Sequence, residues 1–477
     1  MSQIAIVGAG IAGLNAALTL QDAGLACDIY EASGRIGGRM HSDTTTWADG
    51  MASEWCGEFI DDDHETLHHL IARFGLDIIA LRQGGTGQAQ RLMYFSNRFY
   101  GAEELERDFQ TLIPLIQQQA QEAGFPTTYA RFTQAGRRLD EMSVPAWIEQ
   151  YVEGGRASPV GRLLESACSG FYGPETSEQS ALNLIFLFGT QGASRASPTS
   201  GPMQGSCKIV GGNERLPLAI ASNLPGGSIH LRHQLVAIER TGDASVTLTF
   251  ATADGSHLDV QCERAILTLP FSALRHVEYQ QAGFDPLKQA AIEQLGYGTI
   301  SKLFLQFDRP YWNDEGSWPH PLSGFLITDL AIQTLWDVSR GQTGSQGLLV
   351  DYTSGRQGAA YAPARAYTTS AGDTADAALV QSYAQNCLRQ LEQVFPGISA
   401  HYTGRAALSY PTGDPYLRGS YACWRVGQYT RFGGYEGVRQ GPILFAGEHC
   451  SVEFQGFMEG AAREGARAAQ EILHEQR

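Results

Sequence analysis

Six residues near the N-terminus, Gly8-Ala-Gly10-Ile-Ala12-Gly13, join a short apolar, β-branched run, Ile4 to Val7, to a stretch with helical apolar spacing, Leu14 to Leu20. Gly24 stops that helix, and Cys27-Asp-Ile-Tyr30 reads as a second strand ending in Glu31. Strand, glycine turn, helix and second strand in this order make the βαβ unit that binds dinucleotides. The first glycine permits the tight turn, the second lets a diphosphate approach the main chain, and the third lets helix and strand pack closely. The helix N-terminus around Ala12 presents amide donors and a partial positive charge to the phosphates. Glu31 stands 18 residues after Gly13, where a carboxylate accepts from both ribose hydroxyls. A glycine-rich turn without a ligand would leave that acid unexplained. The turn alone does not separate a nicotinamide from a flavin dinucleotide.

At 477 residues the chain has length for about three units of ~150 residues. With 43% apolar and 10% aromatic residues it can bury sizeable cores. Its net charge of −16 carries no long basic run, which argues against nucleic acid or an anionic membrane as the main partner. The acid surplus reads as a solvated surface before it reads as a preference for cationic ligands. Eight cysteines, at 27, 56, 168, 207, 262, 387, 423 and 450, include no Cys-x-x-Cys pair, so neither a zinc knuckle nor a dithiol centre is expected. Reduced thiols and a cytoplasmic setting follow. The apolar stretch Ile4 to Leu20 lacks a basic flank and is broken by glycine, and no later run of 18 apolar residues occurs. Neither an export signal nor a membrane span is expected.

The segment after the second strand, Glu31-Ala-Ser-Gly-Arg35-Ile-Gly37-Gly38-Arg39-Met40, resembles the E-x-x-x-R-x-G-G-R extension of the flavin amine oxidase superfamily, which includes monoamine and L-amino-acid oxidases. The resemblance implies FAD, expected to be non-covalent because Ser420 stands where covalent members have cysteine, with Gly38 beside its diphosphate and Arg39 as a forked donor to it. Four further segments resemble the same superfamily. Trp55-Cys-Gly57-Glu58-Phe59-Ile60-Asp61 is similar to the strand passing the flavin ring. His64 and His68 follow it at i,i+4 spacing and, lacking further ligands, read as ordinary helix-face residues; no metal site is expected. Ile209-Val-Gly211-Gly212 to Leu216 resembles the segment re-entering the flavin domain, with strands at Ile229 to Leu231 and Leu235 to Ile238. There the Leu235 amide would meet the adenine edge, and Ile266 to Leu269 with Pro270 would close this part.

Gly296 to Phe307 resembles the segment that carries the active-site lysine, here Lys302. A lysine fits poorly within an apolar, strand-like run unless it has a partner or faces a pocket. Finally, Ile443-Leu-Phe-Ala446-Gly447-Glu448 and Gln455-Gly-Phe457-Met458-Glu-Gly-Ala461 resemble the C-terminal flavin strand and last helix. By resemblance Gly447 and Glu448 meet the ribityl-diphosphate region, and the amide near Met458 meets flavin O2.

The fold implied is α/β: a discontinuous Rossmann-type FAD-binding domain (1–80, 205–285 and 410–477) plus an α+β substrate domain of the monoamine oxidase type (81–204 and 286–409). Helical spacing is seen over Asp140 to Val152 and Ala375 to Phe395, and loops are expected at Gly192 to Gly205 and Gly341 to Gly347.

By resemblance, Tyr421 and Phe457 are aromatic walls in front of the flavin, and Lys302 holds a water against its N5. The reaction implied is hydride loss from the amine-bearing carbon to N5. It gives an imine, then a keto acid or aldehyde with ammonia, while molecular oxygen becomes hydrogen peroxide. Covalent monoamine oxidases have Gly-Cys-Tyr; this chain has Gly419-Ser420-Tyr421, and serine forms no thioether, although Cys423 lies close by. The hydrophobic C-terminal anchor of membrane-bound oxidases has no counterpart.

An L-amino acid is the substrate expected first, with a monoamine, diamine or polyamine as the alternative. Its carboxylate needs a cation: Ile60 stands near the place where some members have arginine, and Arg418, Arg425 and Arg431 flank the aromatic segment. Glu58 would favour a diamine if it met a second ammonium. A flavin desaturase or protoporphyrinogen-type oxidase would not normally carry the lysine segment, and a non-catalytic flavin-binding protein would need neither lysine nor aromatic pair. A homodimer is a family-level expectation.

Overall fold

The computed structural model describes residues 4–81, 91–189, 207–242 and 245–475. Ile4–Val7 is buried along its whole length, as an apolar run between two parallel neighbours must be. It sits at the centre of a five-stranded parallel sheet in the order Ile443–Phe445, Arg264–Leu267, Ile4–Val7, Asp28–Glu31, Ile229–Leu231. Ile6 lies opposite Ile266 on one side and Ile29 on the other. The strands come from three separated stretches of chain.

Gly13 sits where the first helix, Ile11–Asp22, leaves the turn. A Cβ there would lie 2.0 Å from the Gly8 carbonyl oxygen, so no other residue fits without moving main chain. The last helix, Met458–Glu475, packs on the first, and Asn15 Nδ2 donates to the Ala462 carbonyl at 2.8 Å. Beside this layer, His233–Arg240, Val246–Thr252 and His257–Cys262 form an antiparallel sheet with a bulge between Leu235 and Ala237.

The second large sheet has eight strands, in the order Tyr367–Thr369, Tyr402–Ser409, Ser301–Phe307, Gly347–Thr353, Thr334–Asp337, Phe325–Thr328, Leu92–Phe95, Arg98–Phe99. Ser301–Phe307 is buried throughout, and its alternation divides two cores. Leu303, Leu305 and Phe307 pack under the helix Ala375–Val394, whereas Phe304 joins the core on the opposite face. Lys302 shares that opposite face.

Two expectations are corrected. Asp140 to Val152 is not one helix: Gln134–Asp140 ends there and Val144–Tyr151 starts afresh. Ser143 supplies a new N-cap, accepting from Ala146 N, and Pro145 lies in the first turn, where its missing N–H costs no hydrogen bond. Trp55 to Asp61 is not a strand. Only Ser53–Glu54 pairs as one, with Ser42–Asp43, and Ile60 makes a single bridge to Cys207. Between them the backbone bonds locally or to side chains: Trp55 N donates to His41 O, Gly57 N to Arg39 O, and Ser409 Oγ to Trp55 O.

The expected loop at Gly192 to Gly205 lies outside the described residues; Gly341 to Gly347 is a turn leading into its strand. All eight cysteines are free. Among the described residues no helix is long and apolar enough to cross a membrane.

Candidate active site

One cavity, ≈ 340 Å³ against ≈ 100 Å³ for the second, runs from the glycine turn to the eight-stranded sheet. At one end its wall holds Gly8, Gly10, Ala12, Glu31, Gly38, Arg39 and Leu235; Gly447 and Glu448 also line it. Gly13 does not, in keeping with its packing task. Towards the other end the wall includes Gly57, Glu58, Phe59, Lys302, Tyr421, Phe457 and Met458. The structure therefore brings together every site residue expected from the sequence except Gly13.

The dinucleotide end fits such a ligand. A Cβ on Gly10 would meet nothing in the protein nearer than 3.9 Å, so the bare main chain faces open space. The Glu31 carboxylate is fixed by Ala9 N at one oxygen and Ser33 N at the other, both at 2.8 Å, and each oxygen keeps a further lone pair for a ribose hydroxyl. Arg39 Nη1 donates to Glu448 Oε1 and to the Ser420 carbonyl, each at 2.8 Å. Glu448 also accepts from Ala422 N and Gly456 N. Its carboxylate thus ties Arg39, the aromatic segment and the approach to the last helix into one unit.

At the opposite end Lys302, 4% exposed, directs all three ammonium protons at protein oxygens. Nζ donates to Cys56 O at 2.7 Å, Glu54 O at 3.0 Å and Glu58 Oε2 at 3.0 Å. Trp336 Nε1 donates to Glu58 Oε1 at 3.1 Å, and Lys208 Nζ stands 3.9 Å from that oxygen while donating to Val338 O. Burial works against ionised Glu58, but Lys302 and Lys208 outweigh it and hold the carboxyl below its usual range. Burial lowers the Lys208 ammonium, opposed by Glu58. Glu54, buried nearby and bonded to Asn213 N and Ser42 Oγ, is pushed by burial up to about 8.

Above this cluster is an aromatic chamber. Tyr421 Oη donates to Phe171 O at 2.7 Å and lies 2.9 Å from Tyr352 Oη. Phe171 packs against Phe457 with ring centroids 5.8 Å apart, and Trp336 lies 5.1 Å from Tyr352. The motif reading missed Phe171, Tyr172, Trp336 and Tyr352, which come from other elements. It also missed Lys208, although a lysine inside the buried strand Cys207–Ile209 is the same anomaly that singled out Lys302.

The other candidates fall elsewhere. Arg425 pairs with Glu178 and Arg431 with Gln294, both exposed and off the cavity wall. Arg418 lines the cavity near His276, after the dinucleotide sheet, with Nε on the Pro415 carbonyl. His64 Nδ1 accepts from Asp61 N, and His68 Nε2 lies 3.0 Å from Asp61 O. Among the described residues no group of three or more His, Cys, Asp or Glu could hold a metal.

Residues 11–473 match the family model of flavin containing amine oxidoreductases. The chain belongs to this family. An L-amino-acid oxidase of Mus musculus is 27% identical over 98% of this chain and 70% of that protein. A putrescine oxidase of Kocuria rosea is 24% identical over 98% and 95%, and an L-amino acid dehydrogenase of Synechocystis 26% over 98% and 94%. The fold matches a putrescine oxidase variant redesigned in cofactor binding, with a TM-score of 0.81 at 22% identity and 99% of each chain covered. It matches the cyclohexylamine oxidase of Brevibacterium oxydans IH-35A equally well, at 0.81 and 19% identity over 100% and 99%. The fold is thus the α/β, monoamine oxidase type expected. FAD is the cofactor of this amine oxidoreductase, held non-covalently: Ser420 offers no thiol, and Cys423, off the cavity wall, accepts from Asn183 Nδ2.

Proposed function

We propose that this amine oxidoreductase oxidises a small primary amine with an apolar or aromatic remainder, at the carbon bearing nitrogen, with molecular oxygen as the final acceptor. The observation that carries this reading is the chamber itself: six aromatic side chains, Phe171, Tyr172, Trp336, Tyr352, Tyr421 and Phe457, gathered beside Lys302 on one cavity wall. Such a lining holds an apolar body and keeps water from the reacting carbon. FAD, when bound, supplies the electron sink, with hydride passing to it from that carbon. Segments 1–80, 205–285 and 410–477 would hold it through Glu31, Arg39 and the glycine turn. Segments 81–204 and 286–409 would supply most of the substrate wall.

Lys302 is assigned the role of a fixed positive group beside the flavin ring, Glu58 that of its anchor, and Tyr421 and Phe457 that of guides for the neutral amine. The N-terminus of Met458–Glu475 would face the ring's carbonyl edge and stabilise negative charge there. Glu58 already faces two lysines and one indole N–H, which speaks against its holding the far ammonium of a diamine.

An L-amino acid is the second reading. Two observations favour it: the Lys302–Glu58–Lys208 cluster carries one net positive charge when all three are ionised, and several relatives are named for L-amino acids. Against it, Arg425 and Arg431 turn away from the chamber. Turnover of a panel of apolar primary amines and their α-carboxylated counterparts decides between the two. Faster turnover of the carboxylated partner in each pair would replace the first reading by the second. Localisation in the cytoplasm and a homodimeric state remain part of this proposal, tested by fractionation and by light scattering.

A further inference from the structure

The second cavity lies back to back with the chamber. Along Gly347–Thr353, Tyr352 faces the active cavity, so by strand alternation Asp351 and Thr353 point to the opposite side. There they line a cleft of ≈ 100 Å³ together with Tyr361, Tyr383, Cys387 and Asn386. Asp351 and Thr353 are each 2% exposed. Tyr361 and Cys387 interact with the Asp351 carboxyl and Tyr361 with the Thr353 hydroxyl, but among the described residues Asp351 Oδ1 and Thr353 Oγ1 have no well-formed hydrogen bond. The Tyr361 and Tyr383 rings meet edge to face, 4.7 Å apart, and Ala362 N donates to Tyr383 Oη. Among the described residues, no lysine, arginine or histidine lines this cleft.

A buried carboxyl without a cation either keeps its proton or takes a counter-ion, because an isolated charge is costly to desolvate. Burial pushes the Asp351 carboxyl well above its usual range, against the opposing hydrogen bonds of Tyr361 and Cys387. The remaining wall suits a cation in size and chemistry: hydroxyl and amide oxygens as further ligands, and two tyrosine rings whose faces attract positive charge. It suits an anion poorly, having no positive side chain.

We propose that this cleft is a binding site for one compact monovalent cation, an ammonium or potassium ion, with Asp351 and Thr353 as its inner ligands. The site is separate from the amine oxidation site, and the proposal does not rest on the substrate reading. The test uses the FAD-loaded full chain, with Tm measured against ammonium chloride and potassium chloride. Tetramethylammonium chloride, too bulky for the cleft, is the ionic-strength control. A saturable rise of at least about 2 °C with a compact ion, absent with the control and lost in Asp351→Asn, supports the site. The ion that acts at the lower concentration names its natural occupant. No rise beyond the control, or an equal rise in Asp351→Asn, overturns it. Should Asp351→Asn fail to fold, Thr353→Val decides: an apparent affinity weakened at least about threefold supports the site, and an unchanged one overturns it.

Discussion

Lys302 and Glu58 form a buried ion pair, Nζ to Oε2 3.0 Å, and Lys208 stands 3.9 Å from the carboxylate's other oxygen. One carboxylate therefore answers two ammonium groups, each 4–5% exposed. Removing the shared acid should cost more than removing either base. Glu58→Gln removes the nearest counter-charge from both lysines, a loss of about 3–5 kcal/mol. Lys302→Met still leaves Lys208 beside Glu58 and should cost under about 3 kcal/mol. Urea unfolding of the FAD-loaded variants checks the order; a smaller loss in Glu58→Gln would dissolve the cluster as an energetic unit.

Lys302→Met should retain FAD, since Glu31, Arg39 and the glycine turn, proposed to hold the dinucleotide, make no hydrogen bond with Lys302. If Lys302 serves the reaction, anaerobic flavin reduction should slow by roughly 10²-fold or more with the visible spectrum of bound FAD kept. Stopped-flow absorbance measures both at once. An unchanged reduction rate would make Lys302 a purely structural residue.

Gly13 in the glycine turn and Gly57 beside the last helix should respond differently to the same added methyl. In Gly13→Ala the Cβ meets the Gly8 carbonyl oxygen at 2.0 Å, a main-chain atom that cannot yield cheaply. A loss of about 3 kcal/mol and weakened FAD binding are expected. In Gly57→Ala the Cβ meets Met458 Sδ at 2.9 Å, the end of a flexible side chain, so folding should persist. Thermal unfolding and FAD titration of the two proteins separate these outcomes.

Glu54 should leave a signature in the pH dependence of stability. Its folded pKa is raised to about 8 from 4.5, so the folded protein keeps a proton that the unfolded chain releases. Its contribution is complete below about pH 4.5 and is lost as pH rises towards 8, by about 1.4 kcal/mol per pH unit inside that window. Glu54→Gln should lose stability less steeply between pH 5.5 and 7.5. Parallel curves for the two proteins would show that Glu54 ionises normally in the folded state.

Much of this was legible in the primary structure because local rules carried it. Ile4–Val7, the glycine turn and Glu31 lie within one βαβ unit, where strand, turn and helix signals agree. Ala375–Val394 was legible by its apolar spacing and Met458–Glu475 by its resemblance to the last flavin helix. Trp55 to Asp61 was not, because its backbone groups are satisfied by loop atoms and by Lys302 and Ser409, 246 and 354 residues away. The Glu58–Lys208 approach spans 150 positions for the same reason, 208 − 58, and no spacing rule reaches that far. Phe171 and Trp336 enter the chamber from a helix and a strand whose own patterns announce only burial. Glu448 shows a subtler gap: its position was expected, but its engagement with Arg39, Ala422 and Gly456 is tertiary.

Anaerobic mixing of the FAD-loaded protein with primary amines between pH 6 and 10 tests the central claim most directly. Hydride leaves only from the unprotonated amine, so the account predicts bleaching of the flavin at a rate that rises with pH, and hydrogen peroxide on re-aeration. A yellow protein that neither apolar amines nor L-amino acids can bleach, or a reduction rate flat across that range, would contradict amine oxidation at this site.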